Sequence, residues 1–178
     1  MDLIARVKGW WKPAPTPVFV ADAAGAPERR TRERCNAAPG TRVLIIDDSA
    51  TIVALLRRML RQNELATLEA GDAEAGIELA RGERPDLIFL DIVLPGMNGF
   101  AALRALRKDP VTQDIPVIMI SGNEQATEQF YAHRIGADDF MKKPFSRSEV
   151  FARIERLLDP DQVPRRIPTH AGGEPERA

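Results

Sequence analysis

Residues 43–48 read Val-Leu-Ile-Ile-Asp-Asp, and residues 87–91 repeat the pattern as Leu-Ile-Phe-Leu-Asp. Each is a short continuous apolar run that ends in carboxylates, which is typical of a strand buried on both faces of a parallel sheet. When crossover helices join parallel strands, the carboxyl ends of the strands lie along one edge of the sheet. The two runs therefore predict that Asp47, Asp48 and Asp91 meet at that edge.

Two later strand ends bring further polar side chains to the same edge. Ser121 closes the apolar run 117–120, and Lys143 follows a short run that ends at Met141. A hydroxyl and an ammonium can each donate a hydrogen bond to a phosphoryl oxygen, and the ammonium also balances charge. Carboxylates near one another suit a divalent cation, and Mg²⁺ prefers such oxygen ligands. Together these side chains predict a site for Mg²⁺ and a phosphoryl group.

Segments of strand and helix character alternate along the chain, which indicates an α/β fold. Ser49 and Asp72 stand where helix N-caps belong, and Ser146 with Glu149 has the spacing of a capping box. Gly136 is a natural left-handed end for the fourth helix. The alternation predicts five helices around a five-stranded parallel sheet, a three-layer doubly wound fold of the flavodoxin-like type. The strands are expected at 42–47, 65–69, 86–91, 116–121 and 139–141.

The sequence on either side of this alternation has a different composition. Residues 1–40 form an N-terminal extension rich in Pro, Ala and Arg, and residues 159–178 have a similar composition that predicts a flexible C-terminal tail. Residues 1–12 place apolar and basic side chains at helical spacing. Such an amphipathic segment could dock weakly on a membrane surface or on a partner. The alternative is that its apolar residues fold back on the domain.

Composition limits the other functions that the chain can have. Its net charge is −1, and residues 41–158 are slightly acidic, so bulk charge gives no support for nucleic-acid binding. A single cysteine, Cys35, excludes an intrachain disulfide and fits a cytoplasmic location. No apolar stretch reaches the length of a membrane span.

Residues 41–158 resemble the receiver domain of bacterial response regulators, which act in two-component and chemosensory phosphorelays. The resemblance covers about two-thirds of the chain and rests on several motifs that occur in the order of the family. The motifs are Asp47-Asp48, Asp91 with the loop Leu-Pro-Gly-Met-Asn-Gly at 94–99, Ser121, Gly-Ala-Asp-Asp-Phe at 136–140, and Lys143-Pro144-Phe145.

The resemblance implies a phosphoacceptor regulator rather than a conventional enzyme. Asp91 would accept a phosphoryl group from the phosphohistidine of a sensor histidine kinase or a phosphotransfer protein. The implied Mg²⁺ ligands are Asp47, Asp48, Asp91 and the backbone carbonyl of Val93. The side chains that would contact the phosphoryl group are Ser121 and Lys143.

The resemblance also implies a switch that responds to phosphorylation. Ser121 would move toward Asp91, and Phe140 would turn inward as the aromatic switch residue. The face formed by the fourth helix, the fifth strand and the fifth helix would then repack and control a separate target protein. That face is expected to include Gln129, His133, Arg153 and Arg156.

Two other interpretations use the same residues. In the first, the chain is a pseudo-receiver that docks to partners without being phosphorylated, although every chemical position holds the expected residue type. In the second, it is a phosphotransferase of the haloacid-dehalogenase type, which also uses a strand-end Asp nucleophile and Mg²⁺. That family needs a second Asp two residues after the nucleophile, where this chain has Val93.

Overall fold

A computed structural model of the chain describes residues 37–122 and 132–166. Its strands are β1 (Arg42–Ile46), β2 (Ala66–Ala70), β3 (Leu87–Asp91), β4 (Val117–Ser121) and β5 (Asp139–Lys142). Its helices are α1 (Ala50–Arg61), α2 (Ala73–Glu83), α3 (Gly99–Lys108), the end of α4 at residues 132–134, and α5 (Arg147–Glu155). The five strands form one parallel sheet in the order β2-β1-β3-β4-β5, which confirms the predicted fold class.

The sheet is buried on both faces because successive strand residues point to opposite sides. In β1, Val43 and Ile45 belong to the core under α1 and α5, whereas Leu44 and Ile46 belong to the core under α2 and α3. Every residue of β3 and β4 is buried. This two-sided burial explains why the central strands are continuous apolar runs, and it leaves polar groups to the strand ends.

The helices begin largely where the sequence predicts. Asp72 accepts a hydrogen bond from the backbone N–H of Ala75 at 2.7 Å, and Ser146 accepts one from that of Glu149 at 3.1 Å. The carboxylate of Glu149 contacts Arg153, so the reciprocal half of the predicted capping box is replaced by an ion pair. Ser49 stands at the N-cap of α1 without a side-chain capping bond.

The predicted C-terminal tail begins at residue 159, and the structure describes it as far as residue 166. Asp159 accepts hydrogen bonds from two backbone N–H groups further along the chain, at 2.9 and 3.0 Å, and so closes a turn. The carbonyl of Gln162 accepts a hydrogen bond from the backbone N–H of Ala38 at 2.8 Å. These bonds attach residues 159–163 to the rest of the domain.

A buried ion cluster, here called the Asp138 cluster, lies at the amino edge of β4 and β5. The Asp138 side chain is 3% exposed and lies 2.7 Å from Arg107 and 3.3 Å from Arg166. It also accepts a hydrogen bond from the backbone N–H of Val117 at 2.8 Å. Burial lowers the pKa of Arg107 to about 10, so the guanidinium stays charged at neutral pH. The cluster ties α3, β4, β5 and the segment 157–166 together.

Several sequence-based predictions fall on residues outside the described ranges. They concern the amphipathic segment 1–12, Cys35, the target-face residue Gln129 and most of the fourth helix. Gly136 has a φ of +99°, as predicted for the left-handed position after that helix. Within residues 37–122 and 132–166, no helix is long and apolar enough to cross a membrane.

Candidate metal and phosphoryl site

Three carboxylates meet at the carboxyl edge of the sheet. β1 and β3 are parallel neighbours in which Ile46 lies opposite Leu90, so the residues that follow them, Asp47 and Asp91, lie side by side. Asp48 comes next in the chain. One ligand oxygen from each carboxylate lies within 4.8 Å of the others. Asp47, Asp48 and Asp91 are called the carboxylate cluster below.

Lys143 places its ammonium between two members of the carboxylate cluster. Its Nζ atom lies 2.8 Å from Asp47 Oδ2 and 3.0 Å from Asp91 Oδ2. The backbone N–H of Lys143 donates to the carbonyl of Ser121 at 2.7 Å, which fixes the loop after β5 against the end of β4. Ser121 is fully buried. The structure therefore brings the five predicted polar residues to one edge of the sheet.

Burial sets the electrostatics of this site. Asp47 is 1% exposed and Asp91 is 3% exposed, whereas Asp48 is open to solvent. Desolvation raises the pKa of Asp91 above its usual value, although the hydrogen bond from Lys143 opposes the shift. Burial also opposes the charge on Lys143, but its contacts with Asp47 and Asp91 outweigh burial and raise the pKa of the ammonium.

The carboxylate cluster fits a divalent cation. Three carboxylates and one ammonium leave an excess of negative charge, which a divalent ion can balance. Asp91 Oδ1 is buried and receives no hydrogen bond from the residues that the structure describes. Such an atom is costly unless a ligand compensates it. An all-oxygen set of a few carboxylates, open to water through Asp48, matches the preference of Mg²⁺.

The remaining predicted site residues lie around this centre. Val93 is two residues beyond Asp91, and its side chain is among the most exposed apolar groups that the structure describes, at 68%. Phe140 is 2% exposed and packs in the core shared with α2 and α3. Phe140 already points inward in this structure. The predicted inward turn on phosphorylation therefore requires a different starting conformation, in which the ring points outward.

A cleft of about 350 Å³, lined in part by Asp47 and Asp48, was not predicted from the sequence. It lies between α1 and the end of β2 and is lined partly by small side chains. An ion pair between Arg57 and Glu69, with 3.2 Å between Nη1 and Oε2, lies at the same cleft. The pair joins residues on two different elements, and no sequence motif marks such a contact.

Comparison with known proteins agrees with this geometry. A family model described as "Response regulator receiver domain" matches residues 43–155. Protein PilH of Pseudomonas aeruginosa is 40% identical over 117 residues, which are 66% of this chain and 97% of PilH. The phosphate regulon transcriptional regulatory protein PhoB of Escherichia coli is 34% identical over 117 residues, and the match spans 51% of its length. The chain thus matches about half of PhoB.

Solved structures show the same fold. The chemotaxis protein CheY4 of Vibrio cholerae is similar with a TM-score of 0.64 and 25% identity, over 68% of this chain and all of that one. The receiver domain of the sensor histidine kinase PA1611 from Pseudomonas aeruginosa, which holds a magnesium ion in its active site cleft, has a TM-score of 0.61 and 25% identity. That match covers 66% of this chain and 96% of the other. The chain belongs to the family of response regulator receiver domains, the signalling modules of two-component systems.

Proposed function

We propose that this chain is a phosphorylation-dependent switch in which Asp91 accepts a phosphoryl group from a phosphohistidine of a sensor histidine kinase or phosphotransfer protein. The observation that supports the assignment most strongly is the state of the Asp91 carboxylate. It is buried between a second buried carboxylate and an ammonium, and its Oδ1 atom receives no hydrogen bond from the described residues. A carboxylate oxygen with an uncommitted lone pair can act as a nucleophile toward phosphorus.

The neighbouring side chains have distinct roles in this proposal. Asp47 and Asp48 would hold Mg²⁺ together with Asp91 and the backbone carbonyl of Val93, and the ion supplies positive charge beside an anionic donor. Asp91 Oδ1 forms a bond to phosphorus while the bond from phosphorus to the imidazole nitrogen of the donor breaks. Lys143, which contacts two carboxylates in this structure, would then donate to a phosphoryl oxygen.

The effect on a partner is proposed to occur at the face formed by α4, β5 and α5. Ser121 ends β4 and would donate its hydroxyl to the new phosphoryl group. Next to Phe140, Asp139 pairs with Arg153 at 2.8 Å and with Arg156 at 3.6 Å, so charges fasten α5 to β5. A phosphoryl group can shift such a packed surface if two arrangements are close in energy. A separate target protein would bind one of the two arrangements.

Treatment with a small phosphodonor tests this function. In the presence of Mg²⁺, intact-protein mass spectrometry should show one added phosphoryl group on the parent chain and none on Asp91→Asn. The amide substitution keeps the shape of the side chain but removes the negative charge that makes its oxygen a nucleophile. Amide NMR shifts at residues 132–156 should change in the phosphorylated parent, because the proposed target face includes α5 and β5.

Asp72→Asn is a matched control. Asp72 follows β2 at the same edge of the sheet, but its carboxylate caps α2 and lies outside the carboxylate cluster. This variant should be labelled as fully as the parent. A parent chain that stays unlabelled by both a small phosphodonor and a phosphorylated histidine donor would support the pseudo-receiver interpretation. Undiminished labelling of Asp91→Asn would show that another residue accepts the group.

A further inference from the structure

Gly99 is the first residue of α3 and is buried against the strand that carries Asp91. A Cβ atom at this position would lie 2.1 Å from the carbonyl oxygen of Asp91 and 2.9 Å from its carbonyl carbon. Since ordinary van der Waals contact begins at 3.4 Å, a side chain at Gly99 would require the contact to open by about 1.3 Å, from 2.1 to 3.4 Å. The start of α3 thus packs directly on the Asp91 backbone.

The Asp91 backbone has little freedom to move away from this contact. The peptide N–H of Ile92 donates to the carbonyl of Ile120 on β4 at 3.0 Å, and the carbonyl of Ile92 accepts from the N–H of Gly99 at 2.9 Å. α3 is also held on the face that carries Gly99, because Leu103, one turn further along that face, is fully buried in the core. A bulkier residue at position 99 would therefore displace both the start of α3 and the end of β3.

We propose that Gly99 is a positioning residue for the carboxylate cluster. Because it lacks a side chain, α3 can press on the Asp91 backbone and hold the Asp91 carboxylate at its distance from Asp47 and Asp48. Mg²⁺ needs oxygen ligands at about 2.0–2.1 Å in near-octahedral geometry, so an error approaching 1 Å in one carboxylate weakens binding. This inference rests on the proposed Mg²⁺ site and adds a residue that does not itself touch the ion.

The test is the Mg²⁺ affinity of Gly99→Ala, measured by calorimetric titration of the full chain. We expect a decrease of about tenfold, the scale found when residues that support metal ligands are changed. Gly82→Ala is the first control, since a Cβ there meets nothing within 4 Å. Gly136→Ala is the second, because it strains a residue with φ of +99° at the opposite edge of the sheet. Both controls should keep the parent affinity.

A second variant keeps the proposal testable if Gly99→Ala does not fold. Asn98 is exposed and accepts a hydrogen bond from the backbone N–H of Ala101 at 2.9 Å, which fixes the start of α3. Asn98→Ala should fold and weaken Mg²⁺ binding less than Gly99→Ala does, because the start of α3 loses its anchor without a steric clash. Parent-like affinity in both variants, or in Asn98→Ala alone if the other is unfolded, would overturn the proposal.

A metal-free measurement separates this inference from the proposed function. Amide NMR shifts at residues 47, 48 and 91 should move in Gly99→Ala and stay at the parent values in Gly136→Ala. If the parent chain binds no Mg²⁺, the proposed function fails, while these shifts still report whether Gly99 positions Asp91. Unmoved shifts in a folded Gly99→Ala protein would contradict the positioning role whether or not Mg²⁺ binds.

Discussion

The two edges of the sheet differ in how far their buried carboxylates are paired with positive charges. At the amino edge, the single carboxylate of Asp138 contacts two guanidinium groups and one backbone N–H. At the carboxyl edge, the carboxylate cluster contains three carboxylates near one ammonium, and Asp91 Oδ1 has no donor among the described residues. Charge density alone therefore does not identify the functional edge. The excess of carboxylates over cations does, since Asp139 at the amino edge also has one buried oxygen without a hydrogen bond but pairs with Arg153 and Arg156.

The physical reason lies in desolvation. A buried ion is tolerated when its partners replace water, and removing one partner then leaves the others without compensation. The Asp138 cluster meets this condition and joins structural elements. The carboxylate cluster does not, so a divalent cation can supply the missing interactions. If this contrast is correct, substitutions at the amino edge should change stability, and those at the carboxyl edge should change ligand binding.

The largest effect on stability is expected for Asp138→Ala. The substitution leaves Arg107 buried without its carboxylate and removes the acceptor for the N–H of Val117, so the free energy of unfolding should fall by about 3 kcal/mol. Urea denaturation measures the change. Asp161→Ala removes an exposed carboxylate from the segment 157–166 and is the control, with an expected change within about 0.5 kcal/mol. A decrease of less than about 1 kcal/mol in the free energy of unfolding of Asp138→Ala would contradict the comparison, because a buried ion pair that loses one partner normally costs more.

A smaller effect, which depends on pH, is expected for metal-free Asp91→Asn. Because burial raises the pKa of Asp91 in the folded chain, the folded state holds this proton more tightly than the unfolded state. The contribution of Asp91 to the stability of the fold is therefore fully present below the pKa of Asp91 in the unfolded chain. It is lost as the pH rises through the pKa of Asp91 in the folded chain. Asp91→Asn should lose that contribution, so its stability relative to the parent should rise from acidic to neutral pH. Parallel stability curves for the two proteins would contradict this.

The smallest effect on stability is expected for Asp48→Ala. Asp48 is exposed, and removing it relieves repulsion with Asp47, so the metal-free protein should change by no more than about 0.5 kcal/mol and can gain stability. Its Mg²⁺ affinity should nevertheless fall at least about tenfold, because a ligand is lost. Calorimetric titration measures the affinity. Glu74→Ala, which removes an exposed carboxylate near Gly96, should retain it.

Much of the fold and of the site could be predicted from local patterns. The central strands are recognisable because burial on both faces requires continuous apolar runs, and the carboxylates that end them stand out by contrast. The order of the motifs then resembles one family across residues 41–158. Less could be predicted where order depends on a single side chain. Asp159 closes a turn in a stretch whose composition predicts a flexible tail.

The sequence by itself determined the strand ends, the set of polar residues and the edge at which they meet. The apolar runs are local patterns, and parallel topology places the carboxyl ends of all the strands at one edge. Only the tertiary structure decided which charges are compensated. Lys143 is placed between Asp47 and Asp91 by a backbone bond to Ser121, Arg107 reaches Asp138 from the last turn of α3, and Gly99 presses on the Asp91 backbone. Such contacts join distant parts of the chain at ångström distances, and no local pattern encodes them.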